Sequence, residues 1–402
     1  MRIFLQTFGC TFNKADEGYI KKVLNKNVFC KRLEHADAVI LNTCGVKNTT
    51  ENRMFFLIEK YLKANKKVVV TGCLPKINFE RLQKYPVSIV DSNSLDFLPQ
   101  ALEKREIFIS SKSLNKLDFY GEGFTAIIPI CEGCLSRCSF CATKNARGNL
   151  RSYSERDIVL TLERAVQAGK KEILLTAQDC GCYGLDIGTN IGSLLEKISK
   201  VEGEFKVRLG MANPQYIKKY KEVIAKSLES PIFFQFLHLP VQSGSDEILR
   251  SMHRGHTAKD FSDLVFFFKE KFPDITISTD IIVGFPGEKD DDHLKTVELL
   301  NQTRPAIVNL SKFYPRLNTP AKSMKKVDTK IIKKRSVELS EICRKLALEN
   351  NRKFLGREIE CLILDTSRAF NYLPVSVKGK TGDITKVRIT GFSERGLKGE
   401  IV

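Results

Sequence analysis

Three short apolar runs, each closing on a cysteine, open the chain: "RIFLQTFGC" to Cys10, "DAVILNTC" to Cys44 and "KKVVVTGC" to Cys73. Short extended apolar runs of this kind read as strands. A helix-like stretch follows each, over 15–25, about 48–63 and 78–85. Strand, loop and helix therefore recur, which predicts a parallel sheet with crossover connections. Parallel strands share one carboxyl edge, so the pattern brings Cys10, Cys44 and Cys73 together there.

The stretch 92–123 is polar and mixed and reads as a passage between domains. Strand-like runs resume with "FTAIIPI" (124–130), then "KEILLTAQDCGCYG", "FKVRLGMANP", "PIFFQFLHLPVQSGS", "ITISTDIIVGFPGE" and "AIVNLSKFYPR". Helical stretches such as 155–168, 258–271 and 290–302 separate them. About six such units predict a β/α barrel, an incomplete one, with its chemistry in the loops after the strands. Residues 322–357 hold 12 Lys or Arg against 4 Asp or Glu, with Leu339, Ile342 and Leu346 at helical spacing, an amphipathic basic helix. After Gly356 the pattern turns to short strands punctuated by Gly, Asp and Asn, which predicts a small antiparallel barrel of roughly OB type. The expected fold is thus α/β in three parts. They are an N-terminal parallel α/β domain over 1–115, a partial β/α barrel over 120–345 and a small all-β barrel over 350–402.

Composition sharpens this only slightly. The chain has 402 residues, 42% hydrophobic, with 26 Phe and no Trp, an ordinary globular profile. The net charge of +18 favours a polyanionic partner, although a merely Lys-rich soluble protein also fits. Neither a secretory leader nor a membrane-length apolar run is visible, so a cytoplasmic protein without membrane partners is expected. In a reducing compartment, twelve cysteines read as metal ligands, redox thiols or small core residues rather than disulfides.

The densest chemistry is "CLSRCSFC" (134–141), spaced C-x3-C-x2-C. Four thiolates would close a zinc tetrahedron. Three thiolates on a cubane iron–sulfur cluster leave one iron open to substrate or cofactor. This spacing, after a strand that opens a β/α barrel and with Phe140 before the last cysteine, resembles the signature of the radical S-adenosylmethionine (SAM) superfamily. Cys10, Cys44 and Cys73 form a second three-thiolate set; taken singly, each would read as a small core residue.

Across essentially the whole chain the sequence resembles the radical-SAM methylthiotransferases. "TFGCTFNKAD", "LNTCGVK" and "VVTGCLPK" are similar to the family's N-terminal cysteine motifs. "HLPVQSGSDEILRSMHRGHT", "DIIVGFPGE" and "FYPRLNTPA" are similar to its barrel motifs, and the C-terminal barrel to its TRAM domain. "CLSRCSFCATKNARGNLRSYS" most resembles the archaeal and eukaryotic branch, which methylthiolates carbon 2 of N6-threonylcarbamoyladenosine at tRNA position 37. The resemblance implies two 4Fe-4S clusters, held by Cys134, Cys138 and Cys141 and by Cys10, Cys44 and Cys73. The first would reductively cleave SAM to a 5′-deoxyadenosyl radical, and the second would carry the sulfur. It further implies a tRNA anticodon loop as substrate, with the target base leaving the stack, and an electron donor such as ferredoxin or flavodoxin. The sulfur donor is not specified.

Around SAM, the resemblance implies contacts from Phe140 and Gln178, and points to Asp280 and Gly284. For Asp280 a structural hydrogen bond competes with that reading. Gln242 and Ser243 line the pocket or tie their loop down. His238 reads as a hydrogen-bonded core imidazole, Asn13 as a helix cap with an approach to the second cluster as its alternative, and Arg254 as an exposed loop arginine with a contact to phosphate or the SAM carboxylate as its alternative. Cys30, Cys343 and Cys361 read as packing residues, and Cys131 as a competing ligand that the C-x3-C-x2-C spacing does not need. Cys180 and Cys182 face the active side, with a redox pair or persulfide relay as the minority alternative. Three other readings stand beside this one: a methylthiotransferase for another tRNA base or a ribosomal protein, a zinc-stabilised RNA-binding protein without catalysis, and an electron carrier.

Overall fold

A computed structural model describes residues 1–45, 48–112 and 114–402. Val46 and Lys47 of the second cysteine motif lie outside the described residues. The N-terminal sheet is parallel throughout, in the order Val28–Phe29, Arg2–Thr7, Ala38–Thr43, Lys67–Gly72, Ser88–Val90, Ile107–Phe108. Strand alternation splits its side chains between two cores. Val39 and Leu41 pack with Met54, Phe55 and Ile58 of the helix Asn48–Lys63. Ala38 and Ile40 face the other way, toward Ile20 and Leu24 behind the helix Thr11–Val23 and toward Leu98 and Ala101. The three cysteine-ending runs are adjacent strands of this sheet.

Six parallel strands form the central half-barrel. Lys206–Leu209, Glu172–Thr176 and Thr125–Pro129 make one sheet, and Phe236–His238, Thr276–Val283 and Ile307–Lys312 the other. A parallel bridge between Val207 and Phe233 joins the two. The helix Thr11–Val23 closes on the outer strand of the half-barrel, where Ala15 packs with Tyr120 and Ile127.

Helix Thr329–Arg352 is 24 residues, about 36 Å at the α-helical rise, and runs the full height of the half-barrel. Near its start Ile332 packs against the loop after one strand; near its end the Asn351 amide donates to Ser393 O. It thereby delivers a closed five-stranded barrel of Glu358–Leu362, Ser367–Ala369, Pro374–Ser376, Gly396–Ile401 and Ile384–Ser393. One of its pairings, Pro374–Ser376 with Gly396–Ile401, is parallel rather than antiparallel. The small barrel seals the amino ends of the central strands. Phe234, Phe236 and Leu362 bury together with Tyr372 against them, Arg357 pairs with Asp274 at 2.7 Å, and Lys206 pairs with Glu360. The carboxyl ends stay clear for chemistry.

Helix starts show where pattern reading slips. The first helix begins at Thr11, with Cys10 in extended conformation as its N-cap and no side-chain cap. The stretch 78–85 holds only a single turn, Phe79–Leu82, and another single turn, Leu74–Ile77, precedes it. Asn13 is therefore inside a helix, not ahead of one, and its side chain is buried.

Candidate active site

Cys44 and Cys73 directly follow their strands, and the Cys73 amide donates to Thr43 O at 2.9 Å. Gly9 brings the first loop in: its φ of +114° suits glycine, and a Cβ there would lie 2.8 Å from Cys44 Cβ and 3.2 Å from its Sγ. Asn13 ties the set together. Its amide nitrogen donates to Phe8 O (2.8 Å) and Thr43 O (3.0 Å), and its Oδ1 lies 3.8 Å from Cys10 Sγ and 3.9 Å from Cys73 Sγ. The capping role expected of Asn13 gives way to this one, because the helix starts earlier than its polar pattern suggests. Burial, with the neighbouring Cys10 and Cys44 thiols, pushes the Cys73 thiol up to about 11. A metal loading this set therefore displaces a proton.

The signature loop follows the first barrel strand. Gly133 takes φ +78°, and its amide donates to Gln178 Oε1 at 2.6 Å. Lys144 Nζ binds Cys134 O, and Ser139 is pinned by Ser251 O (2.8 Å) and by the Met252 carbonyl (3.0 Å). The result is a cavity of about 150 Å³ lined by Cys134, Cys138, Phe140 and Cys141, with Gln178, Asp179 and Gln242 opposite. Arg254 is not a free surface arginine: it is half-buried in this lining, 3.3 Å from Cys138 Sγ and 2.8 Å from Pro240 O. Three thiols around one hollow with a guanidinium against them suit a thiolate-bound iron–sulfur cluster and an anionic ligand beside it.

A larger cavity, about 800 Å³, continues from the first across Phe140, Cys141 and Gln242 to Asp280, Asn309 and Arg316. Its volume is that of a small-molecule or nucleoside site. Asp280 Oδ1 meets His238 Nε2 at 3.0 Å and Asn309 Nδ2 at 2.9 Å. Burial alone would raise the Asp280 carboxyl, but the His238 and Asn309 hydrogen bonds hold it below its ordinary range. Asp280 is thus tied by hydrogen bonds to two neighbouring strands while it lines the larger cavity. Gly284 serves packing. Its φ is +75°, its amide donates to Glu288 Oε2 at 2.9 Å, and a Cβ would strike Ile332 Cγ1 at 2.3 Å. Ser243 is buried, its Oγ accepting from the Ser245 amide at 3.2 Å, a loop-tying bond.

The extra cysteines divide. Cys131, Cys180 and Cys361 are core residues, and Cys343 packs against the core from a half-buried position. Cys180 Sγ turns to Leu175 O at 3.9 Å, whereas Cys182 Sγ turns to Asp179 O at 3.3 Å, so these two thiols have different partners. Cys182, Asp179 and Cys134 bring their ligand atoms within 4.8 Å of one another. Asp179, which pattern reading passes over, receives amides from Gly181 (2.9 Å) and Asn213 (3.0 Å), and burial raises its carboxyl.

The two thiol sets are physically joined. The helix Ala142–Arg147 has Cys141 as its N-cap, and its Ala142 and Ala146 bury against Cys73 and Ile77. A second link is the buried ion pair of Arg316, in the wall of the larger cavity, with Glu51 of the N-terminal unit at 2.7 Å.

The radical SAM superfamily matches residues 128–300, and the uncharacterized protein family UPF0004 matches residues 2–91. With its open parallel half-barrel and strand-end thiols, the chain is a radical SAM enzyme. A probable threonylcarbamoyladenosine tRNA methylthiotransferase of Archaeoglobus fulgidus is 39% identical over all of this chain and 99% of its own length. One from Methanocaldococcus jannaschii is 38% identical over 100% and 97% respectively, and the human threonylcarbamoyladenosine tRNA methylthiotransferase 38% identical over 85% of this chain and 62% of its own. The chain belongs to the threonylcarbamoyladenosine tRNA methylthiotransferase family. Among solved structures, the radical SAM methyltransferase TsrM of Kitasatospora setae, with cobalamin and a [4Fe-4S] cluster bound, shares the fold. Its TM-score is 0.60 at 13% identity, over 80% of this chain and 77% of that one.

Proposed function

We propose that the chain methylthiolates carbon 2 of N6-threonylcarbamoyladenosine at tRNA position 37, using SAM and two 4Fe-4S clusters. The observation that carries the reading is the pair of three-thiol sets joined by one short helix, Cys141 capping it and Cys73 packed on its side. In this reading Cys134, Cys138 and Cys141 hold one cluster and Cys10, Cys44 and Cys73 the other. Bound there, the clusters would supply the electron that cleaves SAM and the sulfur that is transferred.

The protein's own share is positioning. Gln178 holds Gly133 and so the loop of Cys134, while Phe140 walls both cavities. Arg254 offers positive charge to a carboxylate beside Cys138. Asp280, fixed by His238 and Asn309, presents an ionised acceptor in the larger cavity, where the base would enter. Residues 1–115, 120–345 and 350–402 act as the sulfur-bearing, radical-generating and RNA-gripping parts, the last in the manner of a TRAM domain. A ferredoxin- or flavodoxin-type protein supplies the electron. Among the described residues no helix is long and apolar enough to cross a membrane.

The test is nucleoside mass spectrometry of tRNA from cells with and without the gene, paired with anaerobically reconstituted enzyme on threonylcarbamoylated tRNA. Gain of the methylthio group on that nucleoside supports the reading. Gain on a ribosomal protein instead, or purification with stoichiometric zinc and no acid-labile sulfide, overturns it.

A further inference from the structure

A closed ring of buried charge lies between the two thiol sets. Lys116 Nζ pairs with Asp16 Oδ1 and Glu132 Oε1, both at 2.9 Å; Arg147 pairs with Asp16 Oδ2 at 2.6 Å and Glu132 Oε1 at 2.9 Å. All four side chains are at most 3% exposed. Two cations and two anions balance, which is what makes such burial tolerable. Arg151 reaches Glu132 Oε2 at 3.1 Å from the rim. The ring draws on every part of the junction. Asp16 belongs to the first helix, Lys116 to the connection between the units, Glu132 stands two residues before Cys134, and Arg147 ends the helix that Cys141 caps.

One spoke leaves the ring. Arg147 Nη2 donates to Asn13 Oδ1 at 3.0 Å, and that same oxygen is the atom 3.8 and 3.9 Å from the Cys10 and Cys73 thiols. The guanidinium therefore fixes which way the Asn13 amide faces, and with it the nearest polar partner of two thiols in the N-terminal set. The same guanidinium, through Glu132, is anchored to the loop that carries Cys134.

We propose that Arg147 is a positioning residue that couples the two cluster sites: it orients the N-terminal thiols through Asn13 and sets a positive charge beside them. The proposal rests on the two-cluster reading above. An ammonium cannot replace this fork, since lysine presents a point charge where Arg147 addresses Asp16, Glu132 and Asn13 at once.

The experiment places Arg147→Lys, Arg147→Gln and Asn13→Ala in the full chain carrying Cys134→Ala, Cys138→Ala and Cys141→Ala, so that only the N-terminal site takes iron. The midpoint potential of that site is read by an EPR-monitored redox titration. Loss of the cation in R147Q moves the potential to more negative values, because an added electron is no longer stabilised; R147K restores most of it. In the chain with all six ligands, R147K and N13A form several-fold more 5′-deoxyadenosine per methylthiolated nucleoside than the unsubstituted enzyme. Asn13→Ala leaves the ring intact, and R147K keeps its charge balance, so both report even if R147Q does not fold. Unchanged potential in every folded Arg147→Gln or Asn13→Ala chain, together with unchanged coupling in R147K and N13A, overturns the proposal. Absence of any iron in the triple-alanine chain overturns instead the two-cluster reading on which it stands.

Discussion

Lys116→Met tests whether the buried ring is held by charge balance. The substitution keeps most of the length of the side chain and removes one cation. Asp16 and Glu132 are then left sharing Arg147, with Arg151 on Glu132 only from the half-exposed rim. In the intact ring, burial opposes ionisation of Asp16, but Arg147 and Lys116 overcome it and hold the carboxyl below its ordinary range. Removing one partner of such a buried pair costs about 3–5 kcal/mol. Against a total stability on the order of 5–15 kcal/mol, that is a large share. Since ~1.4 kcal/mol is tenfold, the folded-to-unfolded ratio falls by about two to three and a half orders of magnitude. Adding Asp16→Asn restores neutrality with one anion facing one cation, and the double variant recovers part of the loss, about 1–3 kcal/mol of coupling. The chain has no Trp, so urea unfolding is followed by circular dichroism at neutral pH. A cost for Lys116→Met below about 1 kcal/mol, or a double variant as poor as the sum of the singles, would refute the charge-balance argument.

Three further outcomes are expected. Gly133→Ala forces a Cβ to 1.9 Å from Asn149 O, a backbone atom, at a positive φ, so it should lose about 2–5 kcal/mol and most of the iron bound by the Cys134 loop, measured by urea titration and iron assay. His256 is buried with its Nε2 donating to Val241 O, and burial with nearby Arg254 pushes its pKa down to about 3. The unfolded chain binds that proton near pH 6.5 and the folded one does not, so stability falls as pH drops from 6.5 toward 3, at most about 1.4 kcal/mol per unit. The slope between about pH 6.5 and 5 should flatten in His256→Gln; an equal slope removes His256 as its source. Cys182→Ala should keep the iron of the signature loop while Cys134→Ala loses it, because Cys182 stands behind Cys134 rather than in the cavity lining; equal losses would make Cys182 a ligand.

Local pattern carried much of this molecule. The strands before Cys44 and Cys73 announce themselves through continuous Val, Ile and Leu, the one before Cys10 through a shorter apolar run, and the helices at 48–63 and 258–271 through their spacing. The signature loop needed only its own eight residues. What stayed hidden depends on distance along the chain: Lys116 meets Asp16 across 100 residues and Arg147 meets it across 131. No window of sequence pairs such charges. Asn13 was misplaced because a polar side chain at a helix start normally caps, and here the helix begins one turn ahead of expectation. Asp179 was obscured, and Arg254 was read by default as exposed, because each takes its meaning from loops on other strands. Gly284 carries a glycine's conformational freedom for the sake of Ile332, a contact with a helix some fifty residues on that no motif encodes.

The small barrel plugs the floor of the half-barrel, whereas the thiols sit at its roof, and a five-residue strand separates the two by about 17 Å. In the proposed reading, an RNA gripped by the small barrel and offering its loop to the thiols has to cross that distance, lying along the flank like a handrail with its loop bent over the top. Cutting that RNA back to the bare loop would spare the bond-making step and surrender the grip, so catalysis and retention should come apart under truncation.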